Sequence, residues 1–469
     1  MTERAVVRDL VVIVPGILGS RLRHREKGLV WGGARTLTTL LQPSRALALT
    51  GDGLRAPDPN VSPDGLVRFA LQLPGLWKID AYTRLLGALH TQFAFDDSNL
   101  IVFAYDWRLS CAVNARLLAE RIEPALSARR LQFPEARIVF VAHSLGGLVV
   151  AHFVEVLGGH ADTKRVVTIG TPFRGSVKAF ATIARGAPAG LPVIRSRVRD
   201  LVRTLPSVYE LLPRYRAIVH GPQLRALNLA DLPDDADGNL FTHATALHEA
   251  IEEPRQHAYE RNVVVGSLQR TPQFATIAES VVTLHDSWAL PDGVTLDERG
   301  DGTVPRQSVA PPGWPDDADA VPLAQGHVAL AGSDDLLRIL HQILTARPRA
   351  EQGPQRARLA LKIPDLVETG EPLDAIVEVA DGDGDVPLIV DVEAVDGGAI
   401  AAPRVPVASE HGLVARFNGL GAGDYRVRVA ALGRVPDVRP VWDLVTVVDP
   451  ADPRLGDALH DDERRPMQD

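Results

Sequence analysis

Short runs of apolar residues recur along the first part of the chain and are separated by longer stretches with helical periodicity. Within these runs the apolar residues do not alternate with polar ones, which is typical of strands that are covered on both faces. Strands that alternate with helices predict a parallel sheet with right-handed crossovers, and therefore an α/β fold. The predicted strands are residues 11–14, 100–104, 138–142, 166–169 and 263–265.

Two regions, residues 31–78 and 176–260, interrupt this alternation. The first is rich in glycine, proline and leucine without a clear period, and the second carries helix-like pieces such as residues 198–212 between prolines. Insertions of this length in a compact domain often form lids or binding loops. We therefore predict cap insertions on a domain of residues 1–345, with a plain surface elaboration as the alternative.

The pattern changes after residue 345. Residues 346–356 are polar and contain two prolines, which predicts a linker. Turn signals then separate short alternating segments, which predicts an immunoglobulin-like β-sandwich over residues 357–450 and a loose tail at 451–469. Tyr425, at the start of one segment, fits a tyrosine corner of such a sandwich. The segments are 358–363, 375–379, 388–395, 413–417, 425–431 and 442–448.

Composition narrows the possible classes of function. The 469 residues carry a net charge of −9 and a pI of about 5.9, whereas a nucleic-acid-binding protein needs a basic surface. Cys111 is the only cysteine, so no intramolecular disulfide can form and a cytoplasmic location is expected. A membrane span needs roughly 20 mostly apolar residues in a row, and the sequence shows no such stretch. The apolar run before Pro15 is interpreted as a buried strand and not as a signal peptide.

No cofactor or metal site is predicted. Residues 381–385 resemble the first half of a calcium-binding loop. However, Val386 and Val392 stand where such a loop needs glycine and glutamate. The segment is therefore interpreted as a hairpin turn.

The strongest chemical motif is Ala-His-Ser-Leu-Gly at residues 142–146, between a predicted strand and a predicted helix. It matches the nucleophile elbow G-x-S-x-G of α/β-hydrolases, with Ala142 in place of the first glycine. Small residues on both sides of Ser144 let the strand and the helix approach each other around a strained turn. Ser144 is therefore the predicted nucleophile, and a chance S-x-G at a helix start is the alternative.

A serine hydroxyl needs a base, and the base needs an acid that orients it. In this fold the acid follows the serine and the histidine follows the acid. Asp301, in the tight loop Arg-Gly-Asp-Gly-Thr, is the best candidate for the acid, and Asp297 and Glu298 are nearby alternatives. Of the histidines after Asp301, His327 lies at a loop-to-helix junction and is the predicted base. The others, His341, His411 and His460, lie in a helix-like run, the sandwich and the tail.

The oxyanion of an acyl-transfer reaction needs two backbone N–H groups. One is predicted to come from Leu145, after the serine, and the other from Ile17, where Gly16 lets the backbone curl inward after the first strand. Gly146 keeps the helix start small. His143 is expected to point away from the pocket and to support the turn.

Together these motifs resemble the lecithin:cholesterol acyltransferase family, which includes the related lysosomal phospholipase. The resemblance covers roughly residues 8–345. Several motifs in the same order are more specific than any one of them. They are VPGILGS at 14–20, AYDWR at 104–108, AHSLGG at 142–147, GTPFRGS at 170–176, GDGTVP at 300–305 and His327.

The resemblance implies an α/β-hydrolase fold and acyl transfer from a lipid ester, without a cofactor. Residue by residue, it implies Ser144 as nucleophile, Asp301 as acid, His327 as base, and Ile17 and Leu145 as oxyanion donors. It also implies contact of the cap with a lipid surface.

This chain departs from the family in several ways. The secreted animal members carry disulfides that this chain cannot form, and the region around Trp31 lacks their cysteine-bridged loop. Asp106 and Arg108 are interpreted as a buried ion pair or a turn brace rather than as catalytic groups. The predicted sandwich is not part of the family's core.

The sequence therefore predicts a serine-dependent lipid ester hydrolase or O-acyltransferase. A second hypothesis is an interaction protein whose sandwich binds a protein or a glycan, with the hydrolase core auxiliary. A third is a thioesterase or peptidase on the same fold. The acyl acceptor and the oligomeric state stay open at this point.

Overall fold

The computed structural model describes most of the chain, and some predicted segments lie outside the described residues. These segments are the linker at 346–356, the turn at 381–385 and the tail from residue 453. The described residues are 4–33, 47–49, 51–67, 71–73, 77–79, 82–186, 192–253, 255, 257–279, 281–310, 320–345, 357–380, 386–395, 401–410, 412–433 and 438–452.

A parallel six-stranded sheet forms the centre of the first part of the chain, in the order β17-β12-β9-β8-β1-β7. The strands up to residue 345 are β1 (Leu10–Val14), β2 (Ser20–His24), β3 (Gly28–Trp31), β4 (Val61–Leu66), β5 (Leu71–Leu73), β6 (Trp77–Ile79), β7 (Leu100–Val102), β8 (Ile138–His143), β9 (Thr163–Ile169), β10 (Ile218–His220), β11 (Gln223–Arg225), β12 (Glu260–Gly266), β13 (Phe274–Ala278), β14 (Val281–His285), β15 (Trp288–Ala289), β16 (Thr295–Leu296) and β17 (Val321–Leu323).

The five predicted strands are confirmed as β1, β7, β8, β9 and β12. All residues of β1 and β8 are buried, as expected of strands that have helices on both faces. The sixth strand, β17, was not predicted. It has three residues with Pro322 in the middle, so it gives neither a long apolar run nor a clear strand signal.

Helices follow most strands of the central sheet. They are α1 (Thr83–Gln92), α2 (Cys111–Gln132), α3 (Leu145–Ala151), α4 (Val177–Arg185), α5 (Pro192–Val202), α6 (Pro206–Tyr209), α7 (Gly238–Glu252), α8 (His327–Leu330) and α9 (Asp334–Thr345), with a π-helical turn at His152–Val156 and 3-10 turns at Gly159–Ala161, Leu229–Asp231 and Arg306–Ser308.

The prediction of one helix-like piece over residues 198–212 is wrong. The structure ends α5 at Val202 and starts the short helix α6 at Pro206. Proline lacks the N–H that a continuous helix needs, and it restricts the residue before it to an extended conformation. Leu205 has that conformation, with φ −103° and ψ 109°.

The two insertions carry small sheets of their own. β2 and β3, which lead into the first insertion, pair with β4 inside it in an antiparallel sheet. The second contains α4 to α7 and the strands β10 and β11, which join β13 and β14 in a four-stranded sheet. Their role as a cap stays a prediction.

The C-terminal part consists of two sheets, in the orders β18-β20-β24-β23 and β19-β26-β25-β21-β22. Their buried valines and leucines form one hydrophobic core, which is compatible with a β-sandwich. The strands are β18 (Arg358–Lys362), β19 (Leu366–Glu368), β20 (Leu373–Ala380), β21 (Leu388–Ala394), β22 (Ala401–Arg404), β23 (Val407–Ser409), β24 (Gly412–Phe417), β25 (Gly423–Ala431) and β26 (Val441–Val448).

All six predicted C-terminal segments are strands, whereas β19, β22 and β23 were not predicted. The hydroxyl of Tyr425 donates a hydrogen bond to the carbonyl oxygen of Gly421 at 2.9 Å, as in a tyrosine corner. The more specific immunoglobulin-like assignment and the domain boundaries stay predictions. Within the described residues, the helices are too short or too polar to cross a bilayer.

Candidate active site

Ser144 lies in the turn between β8 and α3, where the sequence motif placed it. Its backbone has φ 51° and ψ −127°, a conformation that non-glycine residues rarely adopt. Strain of this kind persists only where the surroundings hold it, and it is typical of functional turns. The Ser144 N–H donates to the carbonyl oxygen of Ile169 at 2.9 Å, which fixes the turn to the end of β9.

Gly146 explains why the turn can be so tight. A Cβ atom on this residue would lie 2.4 Å from the carbonyl oxygen of Pro15 and 2.7 Å from that of Val14. Only glycine therefore lets the start of α3 pack against the end of β1. Gly16 lies on the other side of the serine, where a Cβ would lie 2.9 Å from the Cβ of Ser144.

Ser144, His327 and Asp301 form one chain of hydrogen bonds. His327 Nε2 lies 3.0 Å from Ser144 Oγ, and His327 Nδ1 lies 2.6 Å from Asp301 Oδ2. A carboxylate only accepts hydrogen bonds, so Nδ1 carries the proton and Nε2 is free to accept the proton of the serine hydroxyl. All three side chains are buried, and the residues are between 1 and 3% exposed.

Asp301 is oriented by its own loop. Its Oδ1 atom accepts the backbone N–H groups of Thr303 at 2.9 Å and Val304 at 2.7 Å. Its carbonyl oxygen accepts the N–H of His327 at 2.8 Å, which ties the two loops together. Gly170, with φ 54°, leaves room beside them, because a Cβ there would lie 3.0 Å from Asp301 Oδ2.

The alternative acids and the other described histidine after Asp301 do not take part in the hydrogen bonds that link Ser144, His327 and Asp301. Asp297 accepts hydrogen bonds from Gln273 and from the N–H of Arg299. The N–H of Glu298 donates to Gln273. His341 contacts Gln92 at 3.0 Å. His411 and His460 lie outside the described residues.

His143 links the serine turn to the histidine loop. Its Nδ1 lies 2.8 Å from the Tyr82 hydroxyl, and its Nε2 lies 3.3 Å from the carbonyl oxygen of His327. The N–H of Gly16 donates to the Tyr82 oxygen at 2.8 Å, so the Tyr82 proton points to Nδ1 and the His143 proton is on Nε2. Burial, and then the nearby His327, lower the pKa of His143 to about 3, which keeps the ring neutral.

Tyr82 was missed by sequence reasoning. It belongs to none of the motifs, and no spacing in a single sequence connects it to Gly16 or His143. The nearest signal is its position just before α1, inside the region that follows the first insertion. Its contacts depend entirely on the tertiary structure.

Three more aromatic side chains hold the loop 15–20, which contains Ile17. The Tyr105 hydroxyl donates to the carbonyl oxygen of Pro15 at 2.8 Å. The indole N–H of Trp31 donates to Leu18 at 2.9 Å, and that of Trp107 donates to Ser20 at 3.2 Å. These bonds fix the backbone from which the Ile17 N–H was predicted to act, and Ile17 itself is buried.

Leu145, the second predicted oxyanion donor, is the first residue of α3 and is buried. The N–H groups at a helix start have no intrahelical partner and carry partial positive charge. Leu145 thus follows Ser144 directly, and Gly16, the residue before Ile17, lies against Ser144.

Asp106 and Arg108 form a buried ion pair, with 2.7 Å between Arg108 Nη2 and Asp106 Oδ2. Asp58 joins them at 3.1 Å, and Arg108 also donates to the carbonyl oxygens of Leu47 and Ala48. The structure thus uses this part of the AYDWR motif to connect the first insertion to the core.

No group of three potential metal ligands among His, Cys, Asp and Glu is found in the described part of the chain. Cys111 is buried at the start of α2.

The family model described as lecithin:cholesterol acyltransferase matches residues 77–226. This stretch contains Tyr82, the AYDWR motif and Ser144, whereas Asp301 and His327 lie beyond it. The match confirms the resemblance found in the motifs. No curated protein matches the chain.

Solved structures also match the chain, at low sequence identity. A Bacillus licheniformis lipase in its mature form is 12% identical, covers 74% of this chain and 95% of its own, and has a TM-score of 0.35. The same lipase in its propeptide form is 10% identical, covers 93% and 92%, and also has a TM-score of 0.35. A CARDB domain from Pyrococcus furiosus, crystallised with di-metal ions, is 17% identical over 21% of this chain and 95% of its own, with a TM-score of 0.15.

Proposed function

We propose that this chain, which is similar to the lecithin:cholesterol acyltransferase family over residues 77–226, is a serine-dependent lipid ester hydrolase or O-acyltransferase. One observation carries the serine mechanism. It is the hydrogen-bonded chain from Asp301 through His327 to Ser144, with contacts of 2.6 and 3.0 Å. This arrangement of acid, base and hydroxyl is the one that activates a serine for acyl transfer.

In the first half of the proposed reaction, Ser144 Oγ attacks the carbonyl carbon of the ester. His327 Nε2 takes the hydroxyl proton as the new carbon–oxygen bond forms, and the electron pair of the carbonyl π bond moves onto the oxygen. Asp301 accepts the Nδ1 proton in a hydrogen bond and stabilises the imidazolium. The tetrahedral intermediate then expels the alcohol, which receives its proton from Nε2, and an acyl-enzyme remains.

The developing oxyanion needs donors that are already in place, since such donors contribute about 2.7–4 kcal/mol each to transition-state stabilisation. We propose the N–H groups of Leu145 and Ile17 for this role. The first lies at the start of α3, and the second lies in the loop that Tyr82, Tyr105 and Trp31 hold. Because the Gly16 N–H donates to Tyr82, it is not the donor in this proposal.

In the second half, an acceptor attacks the acyl-enzyme while His327 removes its proton. Water gives a fatty acid, and an alcohol gives a new ester. Ser144 is 1% exposed and His327 is 2% exposed, so bulk water does not reach the pair freely in this conformation. Shielding of this kind lets an enclosed site control which acceptor enters.

The lipid nature of the substrate rests on the family. Contact with a lipid surface through the insertions is part of the same proposal, but Trp31 does not provide it. Its side chain packs edge-to-face on Trp107 with 5.2 Å between ring centroids, and the residue is 1% exposed. Trp31 therefore supports the loop 15–20 from inside the protein.

The serine mechanism predicts that Ser144→Ala loses hydrolysis of a p-nitrophenyl ester by about a thousandfold or more. The same variant loses covalent labelling by a fluorophosphonate, because the nucleophilic oxygen is gone. The measurement compares initial rates and labelling at equal folded concentration, checked by circular dichroism. Ser62→Ala, at an exposed serine in β4, is the control that keeps both signals. Full activity in Ser144→Ala would eliminate the proposal.

A panel of lipid esters, with and without an added long-chain alcohol, then identifies the acceptor. Release of fatty acid alone indicates a hydrolase, and formation of a new ester indicates an acyltransferase. Thioesters and peptides in the same panel test the third hypothesis.

A further inference from the structure

The C-terminal two-sheet part packs against the loops that carry Asp301 and His327. We propose that it is a positioning element for these two residues, which act as acid and base in the proposed function on which this inference rests. The residues that transmit this support are Gln269, Glu378 and Leu444. None of them belongs to the motifs of the resemblance.

Gln269 connects the Asp301 loop to β18. Its backbone pairs with Gly300, the residue before Asp301, through N–H to oxygen bonds of 3.0 and 3.2 Å. Its side-chain amide donates to the carbonyl oxygen of Leu359 at 3.2 Å and accepts the N–H of Leu361 at 3.0 Å. Gln269 is 3% exposed, so these bonds form in a buried interface.

Glu378 holds the same loop from β20. It pairs with Arg299 at 2.9 Å and with Arg270, and these two residues adjoin Gly300 and Gln269. Arg299 also donates to the carbonyl oxygen of Leu268 at 2.9 Å, so one guanidinium joins both strands of the loop. One carboxylate of the C-terminal part therefore fixes two cations around the backbone that carries Asp301.

The His327 loop is held by β26. The side chain of Gln325 donates to the carbonyl oxygen of Pro440 at 3.2 Å. Val328, the residue after His327, forms a small apolar cluster with Leu444, and Val395 and Trp442 pack against it. The base thus sits on a short helix, α8, whose outer side is covered by the C-terminal part.

Three further ion pairs hold the C-terminal part against the first part of the chain. Lys78 contacts Asp365 at 2.8 Å and Asp443 at 2.9 Å, and it donates to the carbonyl oxygen of Leu444 at 2.7 Å. Arg439, just before β26, pairs with Asp335 of α9. The contact between β26 and the His327 loop therefore has ion pairs next to it, at Asp443 within β26 and at Arg439 just before it.

The serine turn and the loop 15–20 are held differently. Their described hydrogen bonds go to residues of the first 345, such as Ile169, Tyr82 and Tyr105. A shift of the C-terminal part would consequently move the acid and the base relative to the serine. A misplacement of about 1 Å can reduce the rate by about a hundredfold, because proton transfer depends on geometry.

Glu378→Ala tests the Asp301 side, with Asp374→Ala as the matched control. Both acids are in β20 and both pair with arginine, but the Arg416 partner of Asp374 belongs to the C-terminal part itself. We expect Glu378→Ala to lower kcat and the rate constant of fluorophosphonate labelling by about tenfold, with KM within about twofold. Glu378→Gln, whose amide oxygen still accepts from arginine, is expected to recover most of the loss. Equal effects of Glu378→Ala and Asp374→Ala would overturn the proposal.

Leu444→Ala tests the His327 side, and Val445→Ala is its control on the opposite face of β26. Val445 packs in the core of the C-terminal part, whereas Leu444 packs on Val328. We expect Leu444→Ala to lower the kcat of the folded protein. We expect Val445→Ala to lower the melting temperature and to leave the kcat of the folded protein unchanged. A kcat that is unchanged in Leu444→Ala contradicts the positioning role, even when its melting temperature falls.

The outcome is separable from that of the proposed function. If Ser144→Ala stays active, the serine mechanism is wrong, whatever the interface variants do. If Ser144→Ala is inactive while Glu378→Ala and Leu444→Ala keep full kcat, only the positioning role is wrong.

Discussion

Tyr82 illustrates how one side chain can join parts of a site that lie far apart in the chain. Its oxygen accepts from Gly16, next to Ile17, and its proton goes to His143, next to Ser144. His143 in turn contacts the carbonyl oxygen of His327. The proposed oxyanion loop, nucleophile and base therefore share one hydrogen-bond network in a buried environment, where each missing partner is costly.

We expect Tyr82→Phe to lower kcat by about tenfold with little change in KM. The variant leaves the N–H of Gly16 and the Nδ1 atom of His143 without their hydrogen-bond partner, and a buried polar group without a partner costs about 1–3 kcal/mol. Initial-rate kinetics on an ester measure the effect. Tyr209→Phe is the matched control, because Tyr209 also accepts a backbone N–H, from Asp237, and donates to a carbonyl oxygen, of Arg203. Equal kcat losses in both variants would mean that the effect is general destabilisation.

At the scale of elements, the strand β8, the turn at Ser144 and the helix α3 act as one unit. The sequence predicted this unit because the strand is apolar, the turn has small residues and the helix follows at once. The structure adds that α3 starts against the end of β1, at carbonyl oxygens that leave no room for a side chain at Gly146.

Gly146→Ala is therefore expected to lower the free energy of unfolding by about 1–3 kcal/mol, the usual cost of overpacking, and to reduce esterase activity because α3 shifts from β1. Gly87→Ala is the control. Gly87 lies inside α1, and a Cβ there would have no neighbour within 4 Å. Its replacement should raise the free energy of unfolding by about 0.5–1 kcal/mol, because alanine favours the helix. Thermal unfolding and ester hydrolysis measure both variants, and loss of stability in both would contradict the packing argument.

At the scale of the whole molecule, buried titratable groups set the dependence of stability on pH. Burial lowers the pKa of His143 to about 3 and those of His152 and His248 to about 4. Burial raises the pKa of Glu210 to about 7, although hydrogen bonds from Cys111 and Ser110 act in the opposite direction.

The signs of these effects differ. A histidine with a lowered pKa binds its proton more readily in the unfolded chain, so its contribution to stability is lost as the pH falls below about 6.5. A glutamate with a raised pKa contributes stability at low pH and loses it as the pH rises through about 7. Among these four groups, three histidines favour proton binding by the unfolded chain and one glutamate favours proton binding by the folded chain, which leaves a net difference of about two protons between the two states.

We therefore expect the free energy of unfolding to fall by up to about 3 kcal/mol per pH unit between about pH 6 and pH 5. Chemical unfolding followed by circular dichroism measures this slope. His152→Gln should reduce the slope by removing one group, and Glu210→Gln should increase it by removing the opposing group. A slope that neither variant changes would show that other groups control the acid transition.

The sequence predicted the elements that have a strong local pattern, and it did not predict the elements that lack such a pattern. The strands β1 and β8 are continuous apolar runs, and Ser144 lies in a motif whose neighbours are restricted by close packing. The strands β17, β19 and β23 have three residues each, which is too short for a periodic pattern. They form strands because neighbouring chain segments provide hydrogen-bond partners.

By itself, the sequence determined the parallel α/β core, the turn at Ser144 and the identity of Asp301 and His327 as candidates, because these depend on local pattern and motif order. Only the tertiary structure decided that His327 lies 3.0 Å from Ser144, that Tyr82 bonds Gly16 and His143, and that Glu378 holds Arg299 beside the Asp301 loop. The reason is physical. These contacts join residues that are separated by tens to hundreds of positions, and their geometry depends on how the whole chain packs.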